Sequence, residues 1–161
     1  TLWTEGQKHG MRPFGMRAMM SLRLDKFFGS WLSEFSPDYT AAETGMDRFI
    51  AFSKDVDFIG RKAAEAEREK GSKRTLVVFE VDALDADVVG YEPVWIDGAV
   101  KGFCTSGGYS HYAQKSIALA LIDAGSASDD LQAHIEILGE MRAARRILEP
   151  LFDADGARMR G

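Results

Sequence analysis

Pro93-Val94-Trp95-Ile96-Asp97-Gly98-Ala99-Val100-Lys101-Gly102-Phe103 is the stretch from which the fold can be read. Two apolar runs flank Asp97-Gly98, and a two-residue hairpin turn requires φ > 0 at both central positions, which Asp and Gly tolerate. The pair therefore predicts a β-hairpin. Upstream, Thr75 to Val81 reads as a further strand. Downstream, Thr105-Ser106-Gly107-Gly108-Tyr109-Ser110 reads as a glycine-rich connection leading into a buried strand from Ser116 to Ile122. His134 to Leu138 and Met141 to Ile147 read as a second hairpin turning over Gly139-Glu140. Five or six short antiparallel strands in about 75 residues predict a small barrel, because closure removes exposed edges.

Before Gly71-Ser72 the pattern is different, which places a boundary between residues 1–71 and 72–161. Leu2 to His9 reads as a helix end, with Gly10 as its cap and Pro13 beyond it. Phe14 to Phe28 reads as a helix of about three turns, buried over much of its surface. Ser36-Pro37-Asp38 signals a turn, and Arg48 to Phe52 a short strand. Asp57 is expected to cap a helix from Phe58 to Lys70 that ends at Gly71. The fold class expected is α+β.

The chain has 161 residues, 45% of them hydrophobic and 28% charged, enough apolar content to exclude disorder and to bury a core without disulfides or metal. With 20 Lys+Arg against 25 Asp+Glu the formal charge is -5, the wrong sign for a surface that grips nucleic acid. Cys104 is the single cysteine, so no internal disulfide forms. The longest apolar run, Ile117 to Ile122, is far shorter than the roughly 20 residues of a membrane helix. The N-terminus lacks the pattern of a secretory signal, and a soluble cytoplasmic protein is the expectation. Since Thr1 stands where an initiator Met is absent, the chain is expected to be a piece of a longer protein.

No nucleophile triad and no metal-ligand spacing stands out among His9, His111 and His134. Thr105 to Gly108 lacks the pattern of a phosphate loop; either it needs permissive backbone angles, or its followers Tyr109, His111 and Tyr112 line a pocket. Arg23 sits between Leu22 and Leu24, where a charge requires a partner. Either it pairs with Asp25, Asp47 or Glu43 as a structural ion pair, or it presents a guanidinium fork to a planar or anionic ligand. Cys104 reads as a structural thiol, and Phe27, Phe28, Trp31 and Phe35 as core.

Several segments, taken together, resemble the C-terminal part of the glycine cleavage T-protein (aminomethyltransferase) family. They are Gly15 to Lys26, Pro37-Asp38-Tyr39-Thr40 with Glu43 and Gly45, Asp57-Phe58-Ile59-Gly60-Arg61, Thr105 to Tyr109, and Lys115 to Leu119. Gly107-Gly108-Tyr109-Ser110-His111 and Leu148 to Asp153 look closer to the dimethylglycine and sarcosine dehydrogenase branch. The resemblance implies the end of an α/β folate-binding region followed by a small β-barrel. It also implies tetrahydrofolate as the ligand, a small methylated amine as the substrate of the parent protein, and FAD only in an upstream domain.

By this resemblance Arg23 matches the family's folate-contacting arginine in Ser21-Leu22-Arg23-Leu24, with Asp25 where relatives usually carry Glu. Arg48 falls at a position that is aromatic in many relatives, and its guanidinium plane suits stacking on a pterin. Tyr109 and His111 lie in the matched barrel segment. No catalytic residue carries over, because the family's acid and base groups belong to the N-terminal half. Three readings follow: a portion of a folate-dependent one-carbon enzyme, a non-catalytic folate-binding module, and a structural barrel without a ligand. Apolar surface at Leu2, Trp3, Phe14, Met16, Met19 and Met20 is expected to be exposed without the upstream half, favouring self-association.

Overall fold

Six antiparallel strands close into a barrel in the computed structural model, which describes residues 1–161. They are β1 (Arg74–Val81), β2 (Pro93–Ile96), β3 (Ala99–Ser110), β4 (Lys115–Asp123), β5 (Gln132–Ile137) and β6 (Glu140–Ile147). Around the barrel the order is β1-β4-β3-β2-β5-β6, and β6 returns to β1 through pairs such as Phe79 with Arg146. Asp97 and Gly98 take φ of 50° and 76°, so the β2–β3 hairpin turns where the sequence requires. The β5–β6 turn lies one residue earlier than expected. Leu138 and Gly139 hold its positive angles, 52° and 83°, and Glu140 already belongs to β6.

Alternation sorts the strands into two faces. Val77, Phe79, Val94, Cys104, Ala118, Ala120, Ile122 and Ile135 fill the barrel. On the outside, Val78, Ile117 and Leu119 form a second cluster with Leu24. β4 is thus buried on both faces, which accounts for the unbroken apolar run from Ile117 to Ile122. The glycine-rich stretch from Thr105 is not a connection as expected but the second half of β3. A Cβ at Gly107 would stand 2.5 Å from Val88 Cβ and 2.9 Å from the Ile117 carbonyl, so close approach inside a strand explains this glycine.

Three helices and a set of turns precede the barrel: α1 (Leu2–Gln7), α2 (Met16–Leu24) and α3 (Arg61–Lys70); a short α4 (Ala157–Arg160) follows it. α2 is shorter than expected because Phe27 takes φ 56°, and it buries only Leu24. Leu2, Trp3, Phe14, Met16 and Met19 are exposed, as expected of surface without the upstream half, while Met20 is half-buried; together with exposed Leu22 this runs contrary to the largely buried helix also expected. Arg48 to Phe52 is not a strand. Asp47–Phe49 is a 3₁₀ turn, and with all six strands committed to the barrel no neighbour exists for this segment to pair with. α3 starts at Arg61 rather than Phe58, since Gly60 is left-handed at φ 90°; Asp57 Oδ1 instead accepts the Phe58 N–H at 2.9 Å.

Several bonds tie the helical segment to the barrel region. Ser21 Oγ donates to the Tyr109 carbonyl at 2.7 Å, Leu76 N–H to the Glu43 carbonyl at 2.7 Å, and Phe152 N–H to the Asp25 carbonyl at 3.1 Å. Lys26 Nζ donates to the Asp153 carbonyl and faces its carboxylate at 3.3 Å.

Candidate functional site

Arg23 lies in the last turn of α2, the turn that Leu24 anchors to the outer barrel wall. Its guanidinium is pulled under the loop that follows. Nη1 donates to the Phe28 carbonyl at 2.9 Å and lies 3.4 Å from Glu34 Oε2. Nε is buried and has no partner. Burial lowers the Arg23 pKa from its ordinary value, and the nearby Glu34 carboxylate works against that shift. The ion pair the sequence left open is thus made with Glu34, not with Asp25, Asp47 or Glu43.

Glu34 has no exposed surface. Its Oε2 also accepts the Ser30 N–H at 2.6 Å, and its Oε1 accepts the Ser106 hydroxyl at 2.5 Å. Ser106 reaches it because β3 is bulged. Cys104 pairs with Ala120 and Ser106 with Leu119, so two steps along β3 match one along β4. Without the bulge Ser106 would face the barrel interior as Cys104 does. The loop closes tightly over the carboxylate, for a Cβ at Gly29 would stand 2.5 Å from the Phe35 ring and 2.9 Å from Glu34 Cβ.

The other expected site residues lie elsewhere. Tyr109 and His111 meet edge to face with ring centres 5.2 Å apart. Tyr109 alternates with Gly107, whose absent side chain points at the barrel-core residue Val88, whereas Ser106 and Gly108 face Glu34 and Leu24. Its ring therefore projects from the opposite face of β3 to the one that meets Arg23; α2 touches Tyr109 through the backbone, by way of Ser21. Arg48 is on the exposed 3₁₀ turn with its guanidinium 4.9 Å from the centre of the adjacent Phe49 ring, and no hydrogen bond or ion pair joins it to the Arg23 cluster.

Two residues of the cluster escaped the sequence reading. Glu34 carries one signal, a carboxylate inside the aromatic stretch Trp31-Leu32-Ser33-Glu34-Phe35. Ser106 carries none, since its orientation depends on the bulge. Of the aromatic residues read as core, Phe27 and Phe35 are half-buried, but Phe28 and Trp31 are exposed, at 47% and 77%. Cys104 is fully buried, and burial pushes its thiol far above the ordinary value, as befits a structural residue.

The chain matches the model of the glycine cleavage T-protein C-terminal barrel domain over residues 74–153 and that of the GCVT N-terminal domain over residues 1–54. It is 38% identical to mouse (Mus musculus) mitochondrial dimethylglycine dehydrogenase over 159 residues, which is 99% of this chain and 18% of that protein. It is 30% identical to an aminomethyltransferase of Anoxybacillus flavithermus over 158 residues, 94% of this chain and 43% of that protein. The chain thus spans about a fifth of the first relative and under half of the second. Among solved structures, the glycine cleavage system aminomethyltransferase T of Bartonella henselae superposes with a TM-score of 0.80 at 20% identity, over 87% of this chain and 39% of that one. That likeness speaks to the fold.

Proposed function

The chain belongs to the glycine cleavage T-protein family, and on that premise we propose that it is the C-terminal portion of a tetrahydrofolate-dependent one-carbon-transfer enzyme of the dimethylglycine or sarcosine dehydrogenase type. In this reading it contributes Arg23 to the folate site. The observation that carries it is the buried Arg23 Nε without a partner. Both internal bonds of Arg23 use Nη1, which leaves the Nε–Nη2 edge for a planar ligand with paired acceptors. A pterin ring or a folate carboxylate has that chemistry. Tetrahydrofolate, when bound, supplies a carrier for a one-carbon unit at the methylene level. Arg48, Tyr109 and His111 enter as outlying contacts only.

Residues 1–71 then form the end of the folate-binding domain and residues 72–161 the barrel domain. Upstream residues would complete the folate site and bind the methylated amine, with FAD in a domain of their own. For the compartment the cytoplasm stays the proposal; the mouse dehydrogenase is mitochondrial by name. One observation favours the structural reading instead, namely that Arg23 is ion-paired.

An anaerobic calorimetric titration of the chain with tetrahydrofolate, beside Arg23→Ala, separates the two. Saturable binding that weakens by about 1.5–3 kcal/mol in the variant supports the folate reading. Binding that is absent, or that ignores the substitution, overturns the role given to Arg23 in this chain.

A further inference from the structure

We infer that Glu34 is a positioning residue that acts through Arg23: its buried carboxylate, aimed by the β3 bulge, fixes the guanidinium so that the Nε–Nη2 edge is presented to an acceptor ligand. The inference rests on the reading of Arg23 as a ligand contact.

Three observations carry it. First, a carboxylate with no exposed surface is costly to bury unless its acceptors are filled, and here Ser30 N–H, Ser106 Oγ and Arg23 Nη1 fill them from a loop, a barrel strand and a helix. Glu34 is therefore the node at which three elements share one group. Second, the bulge that turns Ser106 outward interrupts an otherwise regular β3–β4 ladder, and bulges recur where a side chain must be re-aimed beside a functional site. Third, Arg23 is held by Nη1 alone, on Glu34 and on the Phe28 carbonyl of the same loop. Nη2 makes no bond within the chain, and Nε beside it is buried without a partner, a donor that an acceptor on a ligand would fill.

The ligand class follows from the free edge. Nε–H and one Nη2–H point in parallel, which matches a carboxylate or a planar ring offering two adjacent acceptors, and not a cation or an apolar group.

The test uses the whole chain, with 5-formyltetrahydrofolate as the stable probe. Calorimetric titrations compare wild type, Glu34→Gln, Arg23→Lys and the double variant, and thermal melts run alongside. Gln suits the site, since its oxygen still accepts from Ser30 while its amide nitrogen donates to Ser106 Oγ, whose hydroxyl turns its own hydrogen away; the shape is kept and the charge is lost. The expected result is a roughly tenfold weaker Kd in Glu34→Gln with little change in melting temperature, and no further weakening when Arg23 is already Lys. A Kd unchanged by Glu34→Gln, or weakened as much in the Arg23→Lys background, overturns the inference. Ser106→Ala is the second variant, should Glu34→Gln fold poorly. It is expected to weaken binding less than Glu34→Gln, and an unchanged Kd there counts against the bulge's role.

If the wild type binds no probe, the folate reading of this chain fails by itself. The Nε–H resonance of Arg23 in a ¹⁵N spectrum then decides the positioning claim. A resonance that is protected from exchange in wild type and lost in Glu34→Gln sustains it, and a resonance alike in both overturns it.

Discussion

Removing Arg23 and removing Glu34 should each destabilise the chain, and removing both should cost less than the sum. Arg23→Ala takes the only cation away from a carboxylate with no exposed surface. Losing one partner of a fully buried pair costs about 3–5 kcal/mol. Here the Nη1–Oε2 distance is a long 3.4 Å and two donors remain at 2.6 and 2.5 Å, which brings the loss to roughly 2–3 kcal/mol. Glu34→Ala strands the Ser106 hydroxyl and the Ser30 N–H, at about 1–3 kcal/mol for each unpaired buried donor. Arg23 keeps the Phe28 carbonyl at 2.9 Å and part of its side chain faces solvent, so its charge adds less. Water entering the vacated space would serve one donor, for a net loss of roughly 2–4 kcal/mol. The double variant buries no unpaired charge and should recover about 1–3 kcal/mol relative to the sum of the two singles. Urea unfolding followed by fluorescence of Trp3, Trp31 and Trp95 measures all four proteins. Additivity within about 0.5 kcal/mol would refute the coupling and with it the account of the cluster.

Further predictions concern the barrel and the exposed surface. Burial pushes the Glu80 pKa up, but the hydrogen bonds and charges of Lys115 and Arg145 outweigh it and hold it below the ordinary value. Its stabilising effect is therefore complete above the unfolded value of about 4.3 and is lost as pH falls through the lowered folded one. Glu80→Gln should cost about 1 kcal/mol at neutral pH and flatten the acid limb of a stability-versus-pH curve; an unchanged limb would sink the assignment. Cys104, fully buried with a raised pKa, should resist iodoacetamide at pH 8 in the folded chain and react once urea unfolds it, so rapid native labelling would contradict its packing. Leu2, Trp3, Phe14, Met16 and Met19 are exposed on and between the first two helices, and we expect the isolated chain to self-associate through them. Light scattering that shows a clean monomer at high concentration would count against this.

What the sequence disclosed was what is local. Asp97-Gly98 announces its hairpin because two positive φ angles are a property of those two residues alone. The run from Ile117 to Ile122 announces a strand buried on both faces, though not which element covers the outer face; that turned out to be Leu24 of α2. Arg48 to Phe52 misled because a β-favouring composition describes a strand only where a neighbour exists to pair with it. The β5–β6 turn slipped by one residue because Gly139 fills the second left-handed position and Leu138, almost wholly exposed, occupies the first.

The candidate site was legible at Arg23 and hidden at its supports, for a physical reason. A charge between two leucines on a helix must find a partner, so Arg23 stands out from its neighbours alone. Glu34 does not, because a carboxylate reads as solvated until the fold encloses it, and what encloses it is a loop closing at Gly29 and a strand shifted by one residue at Thr105. Neither event has a local signature. The same reasoning bears on Leu22 and Leu24, which flank Arg23. Leu24 faces the barrel and is buried, whereas Leu22 is 60% exposed. α2 is therefore packed on one side only, and Met16, Met19 and Leu22 stay exposed along it, so the helix that carries Arg23 is anchored to the barrel chiefly through Leu24.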